Sequence, residues 1–340
     1  MSPTSPPKKL VVPVFIPHQG CPNRCVFCNQ EEITGSRRPP TPGEVSAYLA
    51  SALGAATPHA TVAFYGGSFT GLPKSDQDAY LGVAAGFVAM GFASGIRLST
   101  RPDYVGEETA RYLAARGVKV VELGVQSMDD AVLVSSGRGH TSSDAVRAAG
   151  LIKSAGLELG LQVMAGLPGD TPEGFMETVE RVTSLAPDFA RIYPTLVVKG
   201  SPLEMLWRDG RYTPLGLEEA VALCAEAVAI FKSAGIRVVR VGLQPSVELE
   251  ASVLAGPYHP SFGHMVGSEI ALKGMLDALG DTASGHVEVL VNPSELSVYR
   301  GIRSANVGRL SCLKAGLEVD IRRDSGVEKG GLRLNVLNLR

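Results

Sequence analysis

A chain of 340 residues with 45% apolar and 19% charged side chains can build a large core, and global disorder is excluded. Its net charge of −2 neither favours nor excludes a nucleic-acid partner, although residues 296–340 hold nine Lys/Arg against four Asp/Glu, part of which is expected on a solvated face. Ser2 to Lys9 is polar and proline-rich, the next apolar run is too short for a signal peptide, and the Val83–Ala93 stretch is broken by glycines, so no membrane segment is expected. Five cysteines, three of them clustered, do not suggest a disulfide framework, and a reducing cytoplasm is the natural compartment.

In chain order, runs rich in Val, Ile and Leu alternate with helical patterns. Strands are predicted at Leu10–Ile16, Thr61–Gly66, Gly95–Thr100, Val118–Gly124, Leu157–Val163 and Asp188–Tyr193. Helices are predicted between them at Pro42–Ala56, Ser75–Met90, Val105–Arg116, Ser142–Ala155 and Thr171–Leu185. The gaps suit parallel crossovers, and the strands read as buried on both faces. The expected fold is α/β, a partial parallel (β/α)6 TIM-like barrel, with a seventh unit at Gly216–Ala234 and Ile236–Val241. Residues 1–9 are expected to be disordered, 10–245 to form the barrel and 246–264 a turn-rich connector. Residues 265–340 are expected to form a small C-terminal α/β domain, its order β-α-α-β-β with Gly301-Ile302-Arg303-Ser304 between the helices. A KH-like module, whose GXXG turn clamps nucleic-acid backbone, fits that order, with Ser304 replacing the second glycine and Arg300, Arg303 and Arg309 as phosphate contacts. A plain structural cap on the barrel is the alternative.

Chemistry in a parallel barrel gathers at the C-terminal ends of the strands. There the first strand delivers Cys21, Cys25 and Cys28, a Cys-x3-Cys-x2-Cys set. Three thiolates on one loop are a ligand set. A structural zinc knuckle would recruit His18 as fourth ligand; an iron–sulfur cluster held by three cysteines would keep one iron open. Cys224 and Cys312, in predicted helices, read as small buried apolar side chains. Gly66-Gly67-Ser68, Thr100-Arg101, Gln126-Ser127 and Met164-Ala165-Gly166 follow later strands and fall on the same rim.

The cysteine spacing, with Phe27 before the last cysteine, resembles the signature of the radical S-adenosylmethionine (SAM) superfamily. That resemblance implies a [4Fe–4S] cluster on Cys21, Cys25 and Cys28 and SAM chelated at the open iron, cleaved reductively to a 5′-deoxyadenosyl radical. It implies an electron donor such as flavodoxin or ferredoxin. It also assigns Phe27, Gly66, Gly67 and Ser68 to the cofactor, the glycine pair facing the methionine amino group and Ser68 standing where many members have Glu. Ser99, Arg101, Gln126 and Ser127 fall to the ribose and carboxylate, Arg138 to the SAM carboxylate and Met164 to the adenine.

Within the superfamily, Phe64-Tyr65-Gly66-Gly67-Ser68-Phe69, Val121-Glu122-Leu123-Gly124-Val125-Gln126-Ser127, Arg138-Gly139-His140-Thr141 and Tyr193-Pro194-Thr195-Leu196 resemble the catalytic subunit of Elongator over roughly residues 10–245. Oxygen-independent coproporphyrinogen oxidase-like proteins are similar more loosely. The chain ends at Arg340 without the acetyltransferase domain of Elongator, and its first cysteine gap is shorter. The resemblance implies radical modification of RNA, with tRNA the favoured substrate. A small-molecule or tetrapyrrole substrate and a non-catalytic zinc-stabilised RNA-binding protein are the other readings. Lys199, His259 and His264 are expected near the substrate, and no catalytic residue is assigned.

Overall fold

A computed structural model of the chain describes residues 10–17, 19–22, 25–35, 38–53, 60–282 and 284–338. The expected disordered segment 1–9, His18 and the end of the helix expected to reach Ala56 lie outside these residues. The described residues form two compact units, 1–215 with 230–257 and 216–229 with 258–340.

In the first unit β1 (Val11–Ile16), β2 (Thr61–Gly66), β3 (Gly95–Thr100), β4 (Val118–Gln126), β5 (Glu158–Ala165) and β6 (Phe189–Pro194) are laid side by side in chain order. The short β7 (Val197–Val198) leaves the sheet, and β8 (Arg237–Val241) returns to pair with β6. Every neighbouring pair is parallel, so the sheet is a seven-stranded partial barrel. Helices Pro42–Leu53, Lys74–Ala89, Glu107–Ala115, Ser142–Ser154 and Pro172–Ser184 fill the crossovers. Their limits follow local chemistry. Thr141 and Asp144 close a reciprocal capping box on the fourth, and Thr171 caps the fifth with Pro172 at its first position.

Burial alternates along the strands. In β3, Ile96, Leu98 and Thr100 are buried, while Arg97 and Ser99 on the opposite face are partly exposed. Tyr65, Gln162, Arg191 and Tyr193 repeat that exposure on their strands. The expectation of burial on both faces is therefore corrected: one face is dry beneath helices and the other is polar. The physical reason is that an open sheet leaves its inner face free to carry chemistry, whereas a closed barrel must fill it with apolar layers.

The expected connector is also corrected in part. Helix Val247–Ser252 and β9 (Val253–Ala255) occupy it, with β9 antiparallel to β7. In the second unit β10 (Gly285–Val291) lies between β11 (Leu317–Arg323), parallel to it, and the antiparallel β12 (Leu332–Asn338). Val287, Val289 and Val291 pack against Leu272, Met275 and Leu279 of helix Phe262–Leu279. Between helices Leu296–Arg300 and Ala305–Leu313, Gly301, Arg303 and Ser304 all have positive φ, which makes the turn abrupt.

Candidate active site

The cysteine loop is fixed to its neighbours by backbone hydrogen bonds. Val26 N–H donates to the Ser136 carbonyl at 3.0 Å, and Leu203 N–H donates to the Val26 carbonyl at 2.8 Å. Phe27 packs against the cluster of Val132, Met164 and Leu167. On the other side Ser68 N–H donates to the Gln19 carbonyl at 3.0 Å, and a Cβ on Gly67 would overlap that carbonyl oxygen. The glycine is thus required by the close approach of two loops.

Cys21, Cys25 and Cys28 line one cavity of about 210 Å³ with Phe27, Gly66 and Gly67. Ser99, Arg101, Gln126 and Arg138 lie on the same wall, so ten of the expected metal and cofactor residues are brought together there. Gln126 holds φ +68 at a bulge between β4 and β5, a left-handed conformation that costs energy for a side chain bearing a Cβ, and Gln162 Nε2 donates to its Oε1 at 3.1 Å.

Three expected residues are turned elsewhere. Ser68 Oγ lies 2.8 Å from Thr100 Oγ1 and accepts from Arg101 N–H, within a buried hydroxyl cluster that includes Thr70. Ser127 Oγ is buried against Thr178 and accepts from Asp129 N–H. Met164 packs with Phe27 in the apolar cluster beside the cavity. Each side chain is drawn away by a neighbour that satisfies it, which motif position alone cannot show. Gln30, Glu122 and Gln162 line the cavity without having been singled out; a charged or amide side chain at the inward position of a buried strand was the available signal for the last two.

The electrostatics suit a cationic group held by thiolates. Burial pushes the Cys28 thiol up to about 12, and the charges of Cys25 and Cys21 add to the effect. Burial and Cys25 also raise Cys21. Three thiolates crowded in a desolvated pocket are unfavourable without bound metal, and metal coordination deprotonates them. The guanidinium of Arg138 donates through Nη1 to Cys25 Sγ at 3.1 Å and through Nη2 to the Gly124 carbonyl at 2.5 Å, leaving Nε buried and unpartnered. Arg101 is held by Asp103 at 2.9 and 3.0 Å, and its Nη1 is likewise buried and unpartnered. Two orphaned guanidinium nitrogens beside three thiols match a carboxylate-bearing cofactor on a metal cluster.

Cys224 is buried, whereas Cys312, expected buried, is exposed. The remaining expected residues make other contacts. Lys199 is exposed, and its carbonyl accepts from Asn29 Nδ2 at 2.9 Å. In the second unit His259 Nδ1 accepts from Ser261 N–H, and His264 lies in helix Phe262–Leu279. Arg300 donates to the Ile321 carbonyl at 3.0 Å, and Arg309 pairs with Glu269 at 2.5 Å. Arg303, alone of the three arginines, is exposed with no side-chain bond to another described residue.

Family comparison accounts for this geometry. The radical SAM superfamily model matches residues 15–182, and the Radical_SAM C-terminal domain model matches residues 187–271. The tRNA uridine(34) acetyltransferase of Dehalococcoides mccartyi is 32% identical over 62% of this chain and 54% of its own length. Elongator complex protein 3 of Mus musculus is 33% identical over 40% of this chain and 25% of its own. The chain thus spans about half, or less, of these curated relatives. Among solved structures, Elp3 of Methanocaldococcus infernus superposes with a TM-score of 0.62 at 22% identity, over 78% of this chain and 63% of that one. Coproporphyrinogen III oxidase of Escherichia coli superposes with a TM-score of 0.51 at 18% identity, over 68% and 54%. Both likenesses establish the partial barrel. The non-catalytic zinc reading gives way to an enzyme whose cofactors are a [4Fe–4S] cluster and SAM. Three thiols on one wall, a buried guanidinium against one of them and two family models spanning most of the chain lead to one assignment: the chain belongs to the radical SAM superfamily.

Proposed function

We propose that the chain is a radical SAM enzyme that modifies RNA, with tRNA as its substrate, and that it works in the cytoplasm with a small reducing protein such as flavodoxin or ferredoxin. The observation that carries the substrate reading is the 32% identity to a tRNA uridine(34) acetyltransferase over 62% of the chain. When bound, the cluster and SAM supply a reductively generated carbon radical. The chain's own residues bind and orient. Cys21, Cys25 and Cys28 hold the cluster, Arg101 and Arg138 offer nitrogens to the SAM carboxylate, and Gly66 and Gly67 keep the wall thin. Ser99 and Gln126 line the same wall and are available to the ribose. The turn at Gly301-Ile302-Arg303-Ser304, with Arg303 exposed, supports a backbone contact to nucleic acid in the manner of a KH turn. Residues 265–340 then serve as the RNA-binding part.

None of the described helices is long and apolar enough to cross a membrane. The test is the set of modified nucleosides in tRNA from cells with and without the gene, read by mass spectrometry. Loss of a modified nucleoside, restored by the wild-type gene and not by Cys25→Ala, is expected. An unchanged nucleoside set would move the substrate to a small molecule.

A further inference from the structure

The polar face of the seven-stranded sheet carries a charged cluster to which no cofactor role has been given. Glu122, on β4, is buried, with its side chain 6% exposed. Its Oε1 lies 2.7 Å from Arg97 Nη2, and its Oε2 lies 2.5 Å from Arg191 Nε. Tyr65 O–H donates to Glu122 Oε1 at 2.8 Å and accepts from Arg191 Nη2 at 3.1 Å. Arg191 Nη1 donates to the Tyr193 hydroxyl at 3.3 Å. Side chains from β2, β3, β4 and β6 thus place two guanidiniums on one carboxylate, a surplus of one positive charge, with the arginine side chains only 15% and 16% exposed. Arg97 further lies over the Phe189 ring and Arg191 over the Tyr65 ring, which fixes both forks.

A sheet built for stability alone would fill this face with apolar side chains, because buried ion clusters seldom outperform apolar packing. Here the surplus charge sits on side chains largely shielded from water, where it attracts an anion strongly. Among the described residues Arg97 Nη1 has no hydrogen-bond partner, and it can donate to a ligand. Glu122 and Gln162 also line the cysteine cavity, so the cluster adjoins that cavity through Glu122. A group seated there would hold the rest of its molecule facing the SAM site.

We propose that Arg97 and Arg191 form an oxyanion seat that holds an acidic group of the substrate, a phosphate or a carboxylate. A guanidinium fork matches either group through paired N–H donors. The seat rests on the geometry of the sheet and stands independently of the tRNA reading.

The test uses the full chain, reconstituted with its cluster and saturated with SAM so that Arg101 and Arg138 are occupied. Inorganic phosphate and propionate are titrated separately by calorimetry at constant ionic strength. Binding of at least one of them with one-to-one stoichiometry is expected, weakened at least about tenfold in Arg97→Gln and Arg191→Gln, the loss of one charged bond. Arg237→Gln, at an exposed pair with Glu158, should bind as wild type. Preference for phosphate identifies a nucleotide-type group, and preference for propionate a carboxylic acid. Should the glutamine variants fail to fold, Arg97→Lys and Arg191→Lys keep the charge on Glu122 while removing the fork, and a severalfold loss is expected. Absence of binding by both anions, or undiminished binding in the folded variants, overturns the proposal.

Discussion

Arg138 Nη1 donates to Cys25 Sγ at 3.1 Å, a buried contact between residues 113 positions apart in sequence. The guanidinium is steered by its second bond, to the Gly124 carbonyl at the end of β4, and its backbone N–H is fixed by the Leu133 carbonyl. Hydrogen bonds and charge at ligand sulfurs set the potential of an iron–sulfur cluster. Replacing Arg138 with Gln removes a positive charge from the ligand sphere and makes the cluster harder to reduce. The midpoint potential in an EPR-monitored titration should fall by about 50 mV, the scale of one partly screened charge. A potential that stays constant or rises would show that Arg138 does not act on the cluster.

Gly67→Ala should damage the cluster without touching a ligand. The added Cβ overlaps the Gln19 carbonyl oxygen, which belongs to rigid backbone, so the cysteine loop must shift. Overpacking of this kind costs about 1–3 kcal/mol. After anaerobic reconstitution the variant should retain far less iron and sulfide per chain than wild type. Normal iron content with a normal absorbance spectrum would contradict the tight loop packing.

Glu122→Gln leaves the Arg97 and Arg191 guanidiniums without their carboxylate in a site where all three side chains are largely buried. Removing one partner of a buried ion cluster costs about 3–5 kcal/mol. Tyr65→Phe removes only the hydroxyl bond to Glu122 and should cost about 1 kcal/mol. Urea unfolding separates the two. Equal and small losses would mean that water already solvates the cluster.

Two titrating groups give stability opposite dependences on pH. Burial, assisted by Arg138 and Arg101, holds His140 at about 4 against an ordinary 6.5, so the native state binds fewer protons between those values. Its contribution is complete above 6.5 and is lost as pH falls toward 4, in total about 3 kcal/mol. His140→Asn should flatten the acid limb of the stability profile measured by urea unfolding.

Asp170 behaves in the reverse sense. Burial raises its carboxyl to about 6 from 3.8, and its Oδ2 has no partner. Its favourable contribution is complete below 3.8 and disappears as pH rises through 6. Asp170→Asn keeps the acceptor for Thr171 N–H and should be more stable than wild type near neutral pH, with the gain vanishing in acid. A variant that is less stable at neutral pH would show that the carboxylate is solvated.

Much of the scaffold was legible because its strands are short apolar runs bounded by turn residues. Thr61–Gly66 and Gly95–Thr100 have the predicted limits, and the helices agree within a few residues. The seventh unit was legible for the same reason, and β8 joins the sheet. Two-sided burial was misjudged because Val and Ile on the helix-covered face dominate the composition of a strand, while single inward residues such as Arg97 and Arg191 look like exceptions. Ser68, Ser127 and Met164 were expected at the cavity from their places after strands. Their side chains answer instead to Thr100, Thr178 and Phe27, residues from other parts of the chain.

The sequence by itself determined the ligand set and the order of the strands. Cys21, Cys25 and Cys28 are close in the chain, and helix and strand periods are local properties. Only the tertiary structure decided what meets the ligands. Arg138 reaches Cys25 from a loop 113 positions away, while Gln162 reaches Gln126, and Arg97 and Arg191 share Glu122, through parallel strands of one sheet. The physical reason is that a parallel sheet brings one inward side chain per strand to a common level, and each chooses its partner by charge and distance across the sheet, not by its neighbours along the chain.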